Sequence, residues 1–267
     1  MLAYYYYMNI LKWVLQLLYC TNIKLVTYNI HGLPRIITRD DTYARMQEIG
    51  SKLNQIHPEV IHFQEDWTTY GHNILNNSLD YITENRLDEH VNSYSIFGSG
   101  LFSLSNFEEL DVVEAPYEKR YGYDDIWASK GYIIQRLWIS DLQNSVDFYN
   151  THMDAQDRSG DKNARKSNVE ELIKEMNSYS MSRAVIFAGD TNLGSSDTDT
   201  ETYNRFIIGT NLTDVAVTMN VTKKIDKILY KSNEVLSVEP VSYDILDNMM
   251  ELSDHKAVQV EFKICKI

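Results

Sequence analysis

Residues Val185–Gly194 read VIFAGDTNLG. Four apolar residues run into Gly189, and an acid, a hydroxyl and an amide follow in succession. A short apolar run bounded by polar turn residues reads as a buried strand. It ends by delivering Asp190 and Asn192, which on an extended chain point to one face. A strand with such an ending places chemistry at a sheet edge.

Other strands end alike. IKLVTY from Ile23, VIHFQ from Val60, YIIQRLWI from Tyr132, VDFYNTH from Val146, KILY from Lys227 and AVQVEF from Ala257 all read as short buried strands. Met46, Ile49, Leu53 and Ile56 recur at helical spacing, as do Val169, Leu172, Ile173 and Met176, so two amphipathic helices cover part of the sheet. Asn29 follows the first strand, Glu65 the second, His152 and Asp154 the fourth, and Asp254-His255 precedes the last. If these ends converge, they build one acidic pocket with few cations of its own, which is stable only with metal or protons present.

The chain of 267 residues suits one large α/β domain, and its four prolines and eleven glycines gather into no linker. A formal charge of −13 argues against broad nonspecific nucleic-acid binding, because phosphate repels this net field. A nuclease stays open, since a metal reverses the sign locally. Cys20 and Cys265 lie near opposite ends and suggest neither a disulfide framework nor a cysteine zinc site. A bridge between the termini stays open, and cysteine usage leaves the compartment undecided.

ILKWVLQLLYC, Ile10 to Cys20, is too short and too interrupted by Lys12 and Gln16 to span a bilayer. It reads as a signal-peptide core or as an N-terminal helix, although no positive charge precedes it and no cleavage site follows. The expected plan is a leader or helix over residues 1–22 and one catalytic domain over 23–267, monomeric, secreted if the leader acts as a signal and cytoplasmic otherwise.

In this order, YNIHGLP, FQEDW, YNTHMDA, AGDTNL, IDKILY and LSDHKAV resemble the endonuclease/exonuclease/phosphatase superfamily, and within it the neutral-sphingomyelinase-type branch. NTHMDA followed by ARKSNVEEL favours that branch. The resemblance implies a DNase I-like four-layer α/β sandwich, with two central, mostly antiparallel β-sheets flanked by helices. It also implies Mg²⁺-dependent phosphoester hydrolysis, with Mn²⁺ as a substitute.

A hard cation takes oxygen ligands, which makes Glu65 the first candidate, with Asn29 and Asp254 beside it. The resemblance gives Asp190 the orientation or deprotonation of the attacking water and Asn192 a contact to the phosphate. It places His255 on the phosphate, oriented by Asp226, and His152 on the phosphate or departing oxygen. Lys130, ahead of a strand and beside Gly131, is a candidate phosphate ligand, and Asp154 either contacts substrate or caps a turn. His31 departs from superfamily members that carry an acidic residue there as a further metal ligand, and this weakens the case for a second tightly held metal.

YEKRYGYDDIW, Tyr117 to Trp127, packs four aromatics among charges and reads as a lipid-docking loop or as an ordered loop with buried rings. The substrate expected first is therefore a phospholipid at a membrane surface, with release of its phosphorylated headgroup. Nucleic acid is the alternative, with KNARK and TKK as local phosphate contacts. A catalytically silent binding module is the third reading.

Overall fold

A computed structural model describes residues 19–82, 87–88, 98–122, 128–222 and 225–267. Most of the expected leader and residues 123–127 of the aromatic segment lie outside the described residues. In chain order the strands are β1 (Cys20–Asn29), β2 (Val60–Gln64), β3 (Leu87–Asp88), β4 (Phe102–Ser105), β5 (Glu108–Pro116) and β6 (Gly131–Ile139). They continue with β7 (Asn144–His152), β8 (Val185–Asp190), β9 (Thr213–Asp214), β10 (Asp226–Lys231), β11 (Leu236–Ile245) and β12 (Val258–Lys266). The long helices are α1 (Thr42–Ile56), α2 (Thr69–Ser78), α3 (Ser159–Tyr179) and α4 (Asp197–Thr210).

The strands form two six-stranded sheets, ordered β11-β12-β1-β2-β4-β3 and β5-β6-β7-β8-β10-β9. Each has one parallel pair at its centre, β1 with β2 and β7 with β8. Every other pairing is antiparallel. This is the expected sandwich of two mostly antiparallel sheets between helices.

Alternation along the strands divides the core into three parts. Leu25 and Val60 of one sheet meet Phe148, Ile186 and Ala188 of the other in the middle layer. Val26, Ile61 and Phe63 turn the other way onto Met46, Ile49 and Leu53 of α1 and Leu75 of α2. Val185 and Phe187 turn outward onto Val169, Leu172 and Met176 of α3 and Phe206 of α4. The helix starts are capped: Asp41 accepts from Ala44 N–H, Thr68 from Gly71 N–H and Ser196 from Asp199 N–H.

The domain begins before residue 23. β1 starts at Cys20, which lies opposite Cys265 of β12 and is joined to it by a disulfide. Residues 20–22 are thus part of the sheet rather than of a leader. Among the described residues, no helix is long and apolar enough to cross a membrane.

Candidate active site

The two central parallel pairs finish at one edge. β1 ends on Asn29, β2 runs out to Glu65, β7 ends on His152 and β8 ends on Asp190 beside it. Their antiparallel neighbours start there, with β10 placing Asp226 directly opposite Asp190 and the segment before β12 carrying Asp254 and His255. Gly189 allows the close approach of β7 and β8, because a Cβ there would lie 2.3 Å from the Thr151 carbonyl oxygen.

Asn29 stands at the centre. Its Nδ2 donates to Glu65 Oε1 at 3.1 Å and to Asp190 Oδ2 at 3.1 Å, while its Oδ1 accepts from His31 N–H at 3.1 Å. His255 Nδ1 donates to the two Asp226 oxygens at 3.0 and 3.1 Å, and its Nε2 lies 3.7 Å from Asp190 Oδ2. His152 Nε2 accepts from Lys130 Nζ at 2.7 Å and lies 3.5 Å from Asp190 and 3.8 Å from Glu65. His31 Nδ1 lies 3.5 Å from Glu65 Oε2 and 3.6 Å from Asp254 Oδ1.

Packed this closely, the groups reset one another. Burial pushes Asp190 up to about 6, reinforced by the Asp226 carboxylate and opposed by the charges of His255 and Lys130. Burial also works against His255⁺, but the hydrogen bond and charge of Asp226 win and raise it to about 9. Burial, then the Lys130 ammonium, hold His152 well below the usual imidazole range. Burial alone would raise Glu65; the His31 hydrogen bond and the charge of Lys130 outweigh it and hold the carboxylate ionised.

The backbone is bent to reach this arrangement. His31, Glu65 and Asn192 all adopt left-handed φ, at 47°, 62° and 51°. Non-glycine residues held this way gather at functional sites. Below the cleft, Gln64 Nε2 donates to Thr27 Oγ1 at 3.1 Å and to Asn150 Oδ1 at 2.8 Å, tying the two sheets together. Ser253 Oγ donates to the Asn29 carbonyl at 2.7 Å and fixes the turn ahead of Asp254.

Nine of the ten residues singled out from sequence lie in or beside this cleft; three are placed in unexpected ways. Lys130, the candidate phosphate ligand, is buried against His152. Asn192 does not share a face with Asp190 through strand alternation. The chain turns left-handed at Asn192, its N–H donates to Asp190 Oδ1, and its Nδ2 donates to the Met153 carbonyl. Asp154 is the tenth, buried beneath the aromatic segment, where its carboxylate accepts from Tyr121 N–H at 3.0 Å. It holds that segment. Tyr117 is also buried, its hydroxyl 2.6 Å from Thr151 Oγ1, so this ring is not a docking surface.

Sequence reasoning passed over Trp67. Its ring lies 6.2 Å from that of His152, and the Lys130 ammonium sits 5.7 Å from its centroid, so it forms a wall of the cleft. Its adjacency to Glu65 in FQEDW was the available signal.

Two groupings suit a cation. Glu65, Asp254 and the Asn29 amide are oxygen donors of the kind a hard divalent ion takes, with His31 beside them. Asp190, Asp226 and His255 place ligand atoms within 4.8 Å of one another, but His255 Nδ1 is already bonded to Asp226. Among the described residues the second is the set of three such groups whose ligand atoms lie that close; the first offers the harder oxygen donor types, delivered from separate turns and not gathered to that spacing.

A family model described as Endonuclease/Exonuclease/phosphatase family 2 matches residues 26–211. No curated protein matches at the sequence level. Among solved structures, sphingomyelinase C from Streptomyces griseocarneus superposes with a TM-score of 0.68 at 14% identity, covering 90% of this chain and 99% of its own. A Staphylococcus aureus beta toxin mutant with bound magnesium ions gives 0.66 at 15% identity, covering 92% and 100%. TDP2 from D. rerio, complexed with a single-strand DNA product, gives 0.67 at 15% identity, covering 91% and 99%. At these identities the likeness concerns the fold.

Proposed function

The chain belongs to Endonuclease/Exonuclease/phosphatase family 2, and on that premise we propose that it is a divalent-metal-dependent phosphodiesterase that releases the phosphorylated headgroup of a phospholipid. The observation that carries the hydrolytic reading is the meeting of Asn29, Glu65, His152, Asp190 and the His255–Asp226 pair at one sheet edge. A metal held by Glu65, with Asn29 and Asp254 in support, would supply Lewis-acid polarisation of a phosphoryl oxygen.

The remaining work falls to side chains. Asp190, poised at about 6, is ionised at neutral pH yet basic enough to take a proton from an attacking water. His255, kept protonated by Asp226, presents positive charge to a phosphoryl oxygen. Lys130 backs neutral His152, and the two together form a proton-donating unit suited to the departing oxygen. Asn192, anchored to Met153, aims a backbone amide at Asp190 and fixes its orientation.

The charge of −13 supports a lipid over a nucleic acid, because a polyanion gains its affinity from Lys and Arg. The Cys20–Cys265 bridge supports action in an oxidising compartment, where disulfides persist. Purified protein offered sphingomyelin vesicles and plasmid DNA side by side, with Mg²⁺ or Mn²⁺ and with EDTA, tests the reading. Metal-dependent phosphocholine release is the expected result. Plasmid nicking that disappears in Asp190→Asn would reassign the substrate to DNA, and turnover of neither would remove the phosphodiesterase reading.

A further inference from the structure

We propose that Asn211 and Asn220 accept N-linked oligosaccharides, and that the sugars nearest the chain cover two exposed aliphatic side chains beside the open edge of β9. The inference goes beyond the phosphodiesterase reading and rests on the oxidising compartment that the Cys20–Cys265 bridge supports, where oligosaccharides pass from lipid pyrophosphates to asparagine. Both residues open an Asn-x-Thr sequence, Asn211-Leu212-Thr213 and Asn220-Val221-Thr222. This tripeptide, with no proline in its middle, is the acceptor pattern.

The fold presents the two sites alike. Asn211 follows α4 at φ 57° and Asn220 follows the short helix Val215–Thr218 at φ 54°, so each ends a helix in the left-handed region that asparagine enters at low cost. Asn211, Thr213, Asn220 and Thr222 are all exposed. Among the described residues neither side-chain amide is held in a hydrogen bond, whereas Asn177, also exposed, donates through Nδ2 to the Gly209 carbonyl at 3.0 Å. Ile208 is 77% exposed and Val217 57%, each three residues before one of the asparagines, a spacing that puts side chains on one helix face. A sugar on either amide therefore lies over an aliphatic side chain that the fold leaves in water. Asn76-Asn77-Ser78 has the pattern but not the placement: it lies inside α2, Asn76 is half-buried, and Ser78 Oγ donates to the Ile74 carbonyl at 2.7 Å.

The transfer joins Nδ2 to the anomeric carbon of the first sugar as the bond from that carbon to a pyrophosphate oxygen breaks. The electron pair leaves on the lipid pyrophosphate, and the amide gives up one proton. β9 is the outer strand of its sheet and pairs antiparallel with β10, Thr213 opposite Tyr230. From Tyr230 to Asp226 is roughly 13 Å of extended strand, and the chain enters β9 from the side away from Asp226. A glycan at Asn211 thus screens an open sheet edge at the end remote from the cleft.

The full chain, produced with its own first residues in mammalian cells, is treated with peptide N-glycosidase in H₂¹⁸O, which turns each glycan-bearing asparagine into ¹⁸O-labelled aspartate read by peptide mass spectrometry. Label is expected at Asn211 and Asn220 and not at Asn76. Thr213→Ala and Thr222→Ala keep each asparagine and its turn but break the acceptor pattern; each is expected to abolish the label at its own asparagine and to leave the circular dichroism spectrum unchanged. The double variant, free of glycan, is expected to bind a hydrophobic dye more than glycosylated wild type does, and adding Ile208→Ser and Val217→Ser to cancel that gain; equal dye binding overturns the covering role. Label that survives the threonine substitutions reports deamidation, and label at Asn76 means that surface placement selects nothing; either result overturns the inference, and label at one site alone strikes the other. No label with Cys20 and Cys265 recovered as a disulfide overturns it alone. No label with both thiols free overturns it together with the oxidising-compartment reading.

Discussion

Asp190 and Asp226 face each other across paired strands, and the fold tolerates this by wedging the His255 imidazolium against both. Asp190→Asn keeps the hydrogen bond from Asn192 N–H and the shape of the side chain but removes the base. It is expected to fold with an unchanged circular dichroism spectrum and to lose about 10²–10⁴ in kcat on a phosphodiester. Undiminished turnover would take Asp190 out of the chemistry. His255 makes a second, independent claim. Its folded-state pKa of about 9 stands above the ordinary 6.5, so its ion pair stabilises the protein fully below about pH 6.5 and loses that contribution as pH rises through 9. In EDTA, the unfolding free energy of wild type should exceed that of His255→Gln by on the order of 2–3 kcal/mol more at pH 6 than at pH 10, measured by urea titration. A gap independent of pH would mean that His255 is uncharged. At this scale the sequence was informative where an acid, amide or imidazole ends an apolar strand, as at Asn29, Glu65, His152 and Asp190. It left Asp154, two residues beyond β7, between substrate contact and turn cap, because the direction of a side chain past a strand end depends on the loop that covers it, here through Tyr121 N–H.

The strands legible in the sequence are those buried on both faces, β2, β6, β7 and β8 among them, whose apolar runs leave little choice of structure. β5 and β11 were not, and both are outer strands. β5 reads EELDVVEAP and β11 reads LSVEPVSYDI, acidic or proline-interrupted sequences that suit an edge and carry no alternation to detect. The helices divide similarly. α1 and α3 show their apolar stripe, whereas α4 begins DTDTETYN and declares itself only through the Ser196 cap. What seats α4 is also invisible in a linear reading. Arg165 of α3, fully buried, donates to Asp199 of α4 through Nε at 2.9 Å and Nη2 at 3.2 Å. Its Nη1 donates to the carbonyls of Asp154 and Gln156. One side chain therefore ties together the loops that follow β7 and β8, the two strands that deliver His152 and Asp190. Arg165→Met leaves the Asp199 carboxylate buried without its cation and is expected to destabilise by about 3–5 kcal/mol in urea unfolding. Adding Asp199→Leu removes the stranded charge and should return part of that loss; if the double variant is less stable than the single, the pair is not the clamp described.

The molecule repeats one pattern twice, two sheets each with a parallel pair at the centre flanked by antiparallel strands. Facing each other, they bring the carboxyl ends of both parallel pairs to a single edge, and this is why residues 161 positions apart, Asn29 and Asp190, share a hydrogen bond. Sequence periodicity could name the strands, but their order in the sheets is set by which apolar faces meet, and the structure was needed for that. The terminal bridge belongs to the same scale. Cys20 and Cys265 face each other across β1 and β12 and close 245 residues of chain, so the disulfide restricts the unfolded ensemble of the whole domain while touching nothing in the cleft. Eight residues of β1 lie between Cys20 and Asn29, roughly 30 Å of extended strand. Disulfides typically contribute about 2–4 kcal/mol, which for a domain of this size corresponds to a fall in Tm of roughly 5–15 °C on reduction. Calorimetry with and without reductant should show that fall in wild type, whereas the Cys20→Ser/Cys265→Ser double variant should melt at the reduced temperature under both conditions. Turnover of a phosphodiester at 25 °C should be the same in all four samples. A wild-type Tm that ignores reductant would mean that the strand pairing holds the termini without the bridge, and a loss of turnover in the double variant would mean that strain at the far end of β1 reaches the cleft.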